Sequence, residues 1–137
     1  MYRTKKSEDR YQQYRKTESR CPFCTLSGER IIEETKSFYL IKNIYGYDIW
    51  DRRKVKIHLL LISKNHIAAL QEIEKDMVQE YTDILKKYSE RGFDIFTRAT
   101  VSLTKSQPHF HTHLIKTTGR LLKSVHFNED PYFLHFS

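Results

Sequence analysis

The apolar residues of this chain fall mostly in short runs separated by polar segments, which is typical of strands. Residues 31–32 and 38–41 flank the polar stretch EETKS and predict two strands with a tight connection. The longer run KIHLLLIS predicts a strand that is buried on both faces. FDIFTRATVSL and PHFHTHLIK predict two more strands, whereas IYGYDIWDRRKVK has mixed charge and predicts a loop or an irregular edge.

One segment has the apolar spacing of a helix instead. Its apolar residues recur every one, three or four positions and form a single stripe: Leu70, Ile73, Met77, Tyr81, Ile84, Leu85 and Tyr88. This spacing predicts one long amphipathic helix, and Gly92 is a natural residue to end it.

Together these elements predict an α+β fold with an antiparallel sheet of about five strands, one long helix and a shorter N-terminal helix or arm. The predicted organisation is a polar arm over residues 1–20, a central domain over 21–120 and an aromatic tail over 121–137. The tail is irregular in pattern and is expected to pack on the domain or on a partner.

Charge and composition narrow the classes of partner. The chain has 24 Lys and Arg against 17 Asp and Glu, a net charge of +7, which favours nucleic acid or phosphorylated small molecules. A well-solvated basic surface is the alternative. No apolar run is long enough to span a bilayer, and Met1 leads into charged residues rather than a signal-peptide core. We therefore expect a cytoplasmic protein without a membrane partner.

The segment SQPHFHTHLI places three histidines at alternate positions, His109, His111 and His113. In a strand such residues point to one face, and packed imidazoles disfavour one another's protonation. Neutral imidazole is a nucleophile, a general base and a metal ligand. The row is therefore compatible with nucleophilic attack on phosphorus, with a catalytic three-histidine zinc site or, less often, with a packed patch that has no chemistry.

The sequence around these histidines resembles the histidine triad superfamily. HFHTHLI fits the pattern His-x-His-x-His followed by two apolar residues, HLLLISKNHIAAL is similar to the family's penultimate strand and the start of its helix, and SFYLIKN is similar to the strand before it. The resemblance covers residues from about 30 to 120.

This resemblance implies a nucleotide hydrolase or nucleotidyl transferase that acts on nucleoside phosphoramidates or nucleotidyl anhydrides through a covalent nucleotidyl-histidine. It implies that His111 is the nucleophile of a triad with His109 and His113, that His113 contacts the phosphate, and that Asn43 binds the ribose hydroxyls. It also implies a homodimer and no catalytic divalent metal.

Two positions depart from the family pattern. Arg98 stands where the family usually has an amide residue, and the loop VSLTKSQP contains no glycine. Arg98 can still bind phosphate through charged donors. Ser106 can offer a hydroxyl near the leaving group, and Lys105 can supply a positive charge. The glycine-free loop keeps an alternative open, a non-catalytic module that binds a nucleotide, or nucleic acid through its basic surface.

Both cysteines lie in the motif CPFC, which in a reducing compartment suggests a metal or redox site more than a disulfide. Family members with Cys-x-x-Cys before the first strand can bind a structural zinc, and the resemblance implies the ligand set Cys21, Cys24, His66 and His109. A redox pair and two packed thiols are the alternatives. His58, inside an apolar strand, is expected to be a hydrogen-bonded core residue or a partner of the site, and the core role is favoured.

Overall fold

The structure, a computed structural model, describes residues 1–137 and is built on one antiparallel sheet. Its strands are β1 (Ile31–Glu34), β2 (Phe38–Lys42), β3 (Ile49–Trp50), β4 (Arg53–Ser63), β5 (Asp94–Thr97) and β6 (His111–Leu121). They lie in the order β1-β2-β4-β6-β5, with β3 paired to the start of β4. Two helices, α1 (Lys5–Thr17) and α2 (Lys75–Glu90), complete the main elements. The predicted α+β class is confirmed.

The sheet buries a different set of side chains on each face. Helix α2 covers one face through Met77, Ile84 and Tyr88, which pack on the alternate residues Leu59 and Leu61 of β4. The intervening residues of β4 point to the opposite face, where Leu60 and Ile62 pack with Ile41 and Phe23. This second face also carries the side chains of His111 and His113, because these residues are paired with Ile62 and Leu60.

Three of the predicted elements have different bounds in the structure. Helix α2 begins at Lys75, after a short 3-10 turn at Leu70–Glu72, and ends near Gly92, whose φ is +85°. The strand predicted from FDIFTRATVSL is limited to β5, and the residues after Thr97 form a loop. The segment predicted to be a loop or an irregular edge forms a β3–β4 hairpin, whose turn residues Asp51 and Arg52 have φ of 48° and 57°.

The aromatic tail is regular, since it forms a second two-stranded sheet from β7 (Val125–Glu129) and β8 (Tyr132–Phe136). This hairpin contacts the N-terminal segment: the Tyr2 and Phe127 rings stack at 4.8 Å, and the Tyr132 hydroxyl donates to the Arg3 carbonyl over 2.6 Å. Helix α1 follows directly and buries Tyr11. Neither helix is long and apolar enough to cross a membrane.

Candidate functional site

His111 and His113 project from the same face of β6 and are both buried. The Nδ1–H group of His111 donates to the carbonyl oxygen of His109 over 2.8 Å. This bond fixes the tautomer of His111, because a proton on Nδ1 leaves the Nε2 lone pair free. His109 lies two residues before β6 begins rather than within it, and its ring turns to a different set of partners.

A chain of hydrogen bonds fixes the tautomer of His113. The backbone N–H of Tyr47 donates to Nδ1 of His58 over 3.1 Å, so the proton of His58 is on Nε2. That Nε2–H donates to Nδ1 of His113 over 2.9 Å. His113 therefore carries its own proton on Nε2, the nitrogen that faces away from His58, and can donate a hydrogen bond to a ligand.

All these rings are held in the neutral form. Burial is the largest cause in each case: it lowers the pKa of His113 to about 2 and the pKa of His58 to about 3, and neighbouring cationic groups act in the same direction. Burial also lowers the pKa of His111, against the raising effect of its bond to the His109 carbonyl. A neutral His111 keeps its nucleophilic lone pair at physiological pH.

A column of aromatic rings sets the orientation of His113. The ring of Phe96 is stacked on His113 with centroids 4.3 Å apart and planes 2° from parallel. Trp50 stacks on the other side of Phe96 at 5.0 Å, and its indole N–H donates to Asp94 over 3.2 Å. Three elements, β3, β5 and β6, thus supply one stack that limits rotation of the His113 ring.

A cavity opens over His111 and His113 on this face of the sheet. Of the predicted substrate-binding residues, Asn43, Arg98 and Ser106 line it. Lys105 does not, and its ammonium group instead donates to the carbonyl of Ala68. The remaining walls come from helix α1 and the segment before it, the CPFC loop, the residue before β1, the segment after β2, strand β4 and the loop before β6. The residues are Arg3, Tyr11, Tyr14, Pro22, Phe23, Arg30, Tyr45, Tyr47, Leu60 and Gln107.

Arg98 lies at the edge of this cavity on the β5 side. Its guanidinium group donates to the hydroxyl of Thr104 over 2.6 Å, and it lies 5.6 Å from the centre of the Phe96 ring. No carboxylate forms an ion pair with it. Arg98 therefore brings an unneutralised positive charge next to His111 and His113, and it contributes to lowering the pKa of both.

The four predicted metal ligands come together next to the triad. The donor atoms of Cys21, Cys24, His66 and His109 all lie within 4.8 Å of one another. Nδ1 of His109 is 3.4 Å from Sγ of Cys21, 3.6 Å from Sγ of Cys24 and 3.1 Å from Nδ1 of His66. A tetrahedral zinc would separate a sulfur from a nitrogen by about 3.5 Å and two nitrogens by about 3.3 Å. This cluster could therefore bind a metal ion of that geometry.

The tautomer of His109 also fits a metal ligand. Its Nε2–H donates to the carbonyl oxygen of Ser63 over 2.7 Å, which leaves the Nδ1 lone pair directed at the two sulfurs. The hydroxyl of Ser63 is occupied separately by the carbonyl of Asn65 at 2.8 Å. A carbonyl partner that holds the second nitrogen of a ligating histidine is the usual arrangement around zinc.

Phe23, inside the CPFC motif, contacts both the candidate metal cluster and His111 in the cavity. Its ring is 8% exposed and packs edge-on against His109, with centroids 5.8 Å apart, and against His111 at 5.4 Å. The loop that carries the two cysteines therefore also forms one wall beside His111.

The sequence analysis favoured a core role for His58 and did not identify Phe96 or Tyr47 as residues of the site. His58 was favoured as a core residue, whereas the structure shows that it is buried and is hydrogen-bonded to His113. The sequence carries no signal for this contact, because it depends on the register in which β4 pairs with β6.

Comparisons with known proteins agree with the fold and the motif. Neither the models of known protein families nor the curated proteins give a match to the sequence. Among solved structures, a HIT family hydrolase from Legionella pneumophila Philadelphia 1 is 25% identical, with a TM-score of 0.51, over 74% of this chain and 94% of that chain. A HIT family hydrolase from Clostridium thermocellum is 26% identical, with a TM-score of 0.54, over 75% of this chain and 95% of that chain.

A third structure, described as a HIT-like protein, is 18% identical and has a TM-score of 0.51 over 79% of this chain and 97% of that chain; it shows likeness of fold alone. The sheet order, the histidines at the start of β6 and the Cys/His cluster beside them are consistent with the resemblance to the histidine triad superfamily. In fold and in its histidine motif, the chain is similar to these histidine triad hydrolases.

Proposed function

We propose that the protein is a nucleotide hydrolase or nucleotidyl transferase that acts on nucleoside phosphoramidates or nucleotidyl anhydrides through a nucleotidyl-histidine intermediate. The observation that carries this proposal is the state of His111. Its Nδ1–H is committed to the His109 carbonyl, so a free Nε2 lone pair belongs to a neutral, buried ring that lines a cavity. A carbonyl on Nδ1 also stabilises the positive charge that the ring gains when Nε2 forms a bond.

The first step forms one bond and breaks one. Nε2 of His111 attacks the α-phosphorus, and the bond from phosphorus to the leaving group breaks. The leaving group departs with the electron pair and takes a proton from water, while the Ser106 hydroxyl donates a hydrogen bond to it. In the second step a water molecule, or an acceptor alcohol or amine, attacks the same phosphorus and releases its proton to the solvent. The N–P bond then breaks, and His111 recovers its lone pair.

The surrounding side chains bind and orient the substrate in this proposal. The Nε2–H of His113 donates to a phosphoryl oxygen, and Arg98 adds a charged donor at the edge of the cavity. Asn43 binds the ribose hydroxyls. Lys105 would contribute its charge at longer range, since its ammonium group is engaged by Ala68. These protein donors offset the phosphate charge, so the proposal needs no catalytic divalent metal.

A structural zinc held by Cys21, Cys24, His66 and His109 completes the proposal, and the donor distances support it. When bound, zinc would supply a fixed cross-link between the CPFC loop and the start of β6. The residues it would link include His109, whose carbonyl accepts a hydrogen bond from the Nδ1–H group of His111, and the loop residue Phe23, which packs on His111.

The second candidate function is a zinc-stabilised module that binds a nucleotide or nucleic acid without turnover. The loop between Thr97 and His109 favours it, because without glycine its backbone cannot approach a phosphate as closely as a glycine-rich loop. A net charge of +7 is compatible with binding of nucleic acid. A homodimer, a cytoplasmic location and the three-part domain organisation stay predictions.

The test is the intact mass of the protein after brief incubation with adenosine 5′-phosphoramidate, together with its turnover. Wild type is expected to show an added adenosine monophosphate or released product, and His111→Ala neither. His126→Ala, a substitution of an exposed histidine on β7, is the matched control and should behave as wild type. Wild type that binds the nucleotide but gives neither adduct nor product on this substrate or a dinucleoside polyphosphate would favour the binding module.

A further inference from the structure

Arg30 has an unusual hydrogen-bonding state. Its Nε is the one buried side-chain nitrogen or oxygen in the chain that has no hydrogen-bond partner. The neighbouring Nη2 makes a single long contact, 3.5 Å, with the carbonyl of Lys42, and no carboxylate pairs with the group. Buried donors are almost always satisfied, and the Nε and Nη2 edge of arginine is the one that grips two oxygens of a phosphate. An edge whose Nε has no partner and whose Nη2 has one long contact thus points to an anionic ligand.

The position of Arg30 in the sheet says which part of a nucleotide it would meet. Arg30 and His113 line the same cavity. The residue after it, Ile31, pairs with Ile41, Ile41 pairs with Leu60, and Leu60 pairs with His113. Three strand intervals place the two backbones about 14 Å apart. Arg98, which follows β5, is on the other side of the triad. Arg30 therefore lies on the nucleoside side of the reacting phosphorus, with Asn43, and Arg98 on the side of the leaving group.

Asn43 presents a second free donor near the same end. Its side-chain oxygen accepts the backbone N–H of Tyr45 over 3.0 Å, which directs the amino group elsewhere. The nearest partner of that amino group is Nε2 of His58 at 3.4 Å, which is itself a donor to His113. Both hydrogens of the Asn43 amide are therefore free for a ligand. An amide also has no negative charge, so it does not repel a phosphate attached to the ribose.

The charges around the cavity agree with an extra phosphate. Its fifteen lining residues include three arginines and no Asp or Glu. Arg3 is paired with Glu8 at 3.3 Å, which leaves Arg30 and Arg98 without a counterion. A second cavity shares Asn43, Tyr45 and Tyr47 with the first and is also lined by Arg10, Lys42 and Lys56, with Asp48 as its one acidic residue.

We propose that the substrates of this site are nucleotides that carry a second phosphate on the ribose 3′ oxygen, in addition to the 5′ phosphate that reacts. Arg30 is the specificity-determining residue, donating through Nε and Nη2 to two oxygens of that phosphate, while the Asn43 amide donates to the ester oxygen. The second phosphate is either terminal or the first internucleotide linkage of a nucleic acid. This inference rests on the proposed function for the placement of the 5′ phosphate.

The test compares affinities by calorimetry and so does not depend on turnover. Adenosine 3′,5′-bisphosphate should bind wild type at least about 10-fold more tightly than adenosine 5′-monophosphate, because charged bidentate hydrogen bonds are strong. Adenosine 5′-diphosphate, which has a second phosphate in another place, is the control for charge. Equal affinity for the monophosphate and the 3′,5′-bisphosphate, or an equal gain for the 5′-diphosphate, would overturn the proposal.

Variants identify the residue that is responsible for the preference for the 3′,5′-bisphosphate. Arg30→Gln should remove the preference for the 3′,5′-bisphosphate, and Arg30→Lys, which keeps the charge but loses the planar fork, should retain only part of it. Arg120→Gln, an exposed arginine at the end of β6, is the matched control and should keep the full preference. A preference that survives in a folded Arg30→Gln protein assigns the effect to another group and contradicts the inference.

A 5′-phosphorylated dinucleotide separates the two sources of the phosphate. Binding at least as tight as that of the bisphosphate indicates an internucleotide linkage, and weaker binding indicates a terminal 3′ phosphate. The adduct on His111 is scored separately. An adduct without a 3′ preference would support the proposed function and contradict this inference. A 3′ preference without adduct or turnover would contradict the proposed enzyme activity alone.

Discussion

Nε2 of His58 lies 2.9 Å from Nδ1 of His113, although the two residues are 55 positions apart in the sequence. Because Tyr47 donates to the other nitrogen of His58, the proton in this contact belongs to His58. The tautomer of His113 is thus set by a backbone amide two hydrogen bonds away. His58 is a positioning residue in the proposed mechanism, since it acts on the substrate only through His113.

Replacing His58 tests this arrangement. His58→Phe keeps the ring volume but offers no donor, so His113 loses its fixed tautomer, and turnover should fall about 10- to 100-fold. His58→Gln can still donate an amide N–H toward His113 and should recover part of the loss. Measurement of kcat and KM separately checks the assignment: the loss should appear in kcat, and a loss confined to KM, or no rescue by Gln, would contradict it.

Acid should destabilise the protein through the same two rings. The pKa of His58 is lowered to about 3 and that of His113 to about 2, so both stay neutral when folded, whereas in the unfolded chain each is protonated below about pH 6.5. Between about pH 6.5 and 3 the unfolded state therefore binds more protons than the folded state. The contribution of the two histidines to stability is complete above this window and falls as the pH drops through it. Each ring contributes a slope of about 1.4 kcal/mol per pH unit.

Urea unfolding at several pH values from 4 to 7 measures this slope. Because the metal cluster also contains histidines, the informative quantity is the difference between wild type and His58→Phe. Between pH 4 and 6 the free energy of unfolding of wild type should change more steeply with pH than that of His58→Phe, by about 1.4 kcal/mol per pH unit. Equal slopes would mean that His58 is not held neutral by the fold.

Loss of the metal cluster should lower stability and zinc content together. Cys24→Ser removes a sulfur that lies 3.2 Å from Nδ1 of His66 and so removes one side of the ligand set. We expect zinc to fall well below one per chain and the unfolding temperature to fall by about 10 °C or more. Ser27→Ala, an exposed substitution in the same segment, is the control. A full zinc content in Cys24→Ser would argue for another ligand set.

Arg98 is predicted to serve binding of the phosphates on the leaving-group side. Removing its charged donors with Arg98→Gln, which restores the amide typical of the family, should lower kcat/KM about 10- to 100-fold for a dinucleoside polyphosphate. The loss should be smaller for a phosphoramidate, whose leaving group has no phosphate. Arg91→Gln, exposed beyond the end of α2, is the control. Equal losses on both substrates would contradict a role specific to leaving-group phosphates.

The sequence was informative where the chemistry is local. The alternate histidines and CPFC are short motifs, and the strands and long helix follow from apolar spacing, so the fold class could be predicted. The four members of the metal cluster were implied by the resemblance to the histidine triad superfamily. His58 could not be assigned, because a single histidine in an apolar strand has no pattern and its partner is distant in sequence. Arg30 was not identified either, since a free guanidinium edge is a property of the packed structure.

The two hairpins were missed for different reasons. The β3–β4 turn uses left-handed backbone at Asp51 and Arg52, positions where glycine or asparagine would have indicated a turn. The β7–β8 hairpin has a recognisable signal, because Asp130 and Pro131 separate two segments of similar length. Its aromatic residues on both faces obscured the alternation of period two.

His109 contributes two different atoms to two neighbouring tasks, its ring nitrogen to the metal cluster and its backbone oxygen to the Nδ1–H group of His111. If the cluster binds zinc and His111 is the nucleophile, as proposed, a preparation with incomplete metal occupancy would be a mixture of molecules that differ in how firmly His111 is held. Specific activity would then vary between preparations with identical sequence and purity. Rates normalised to bound zinc, rather than to protein concentration, would be the quantity to compare.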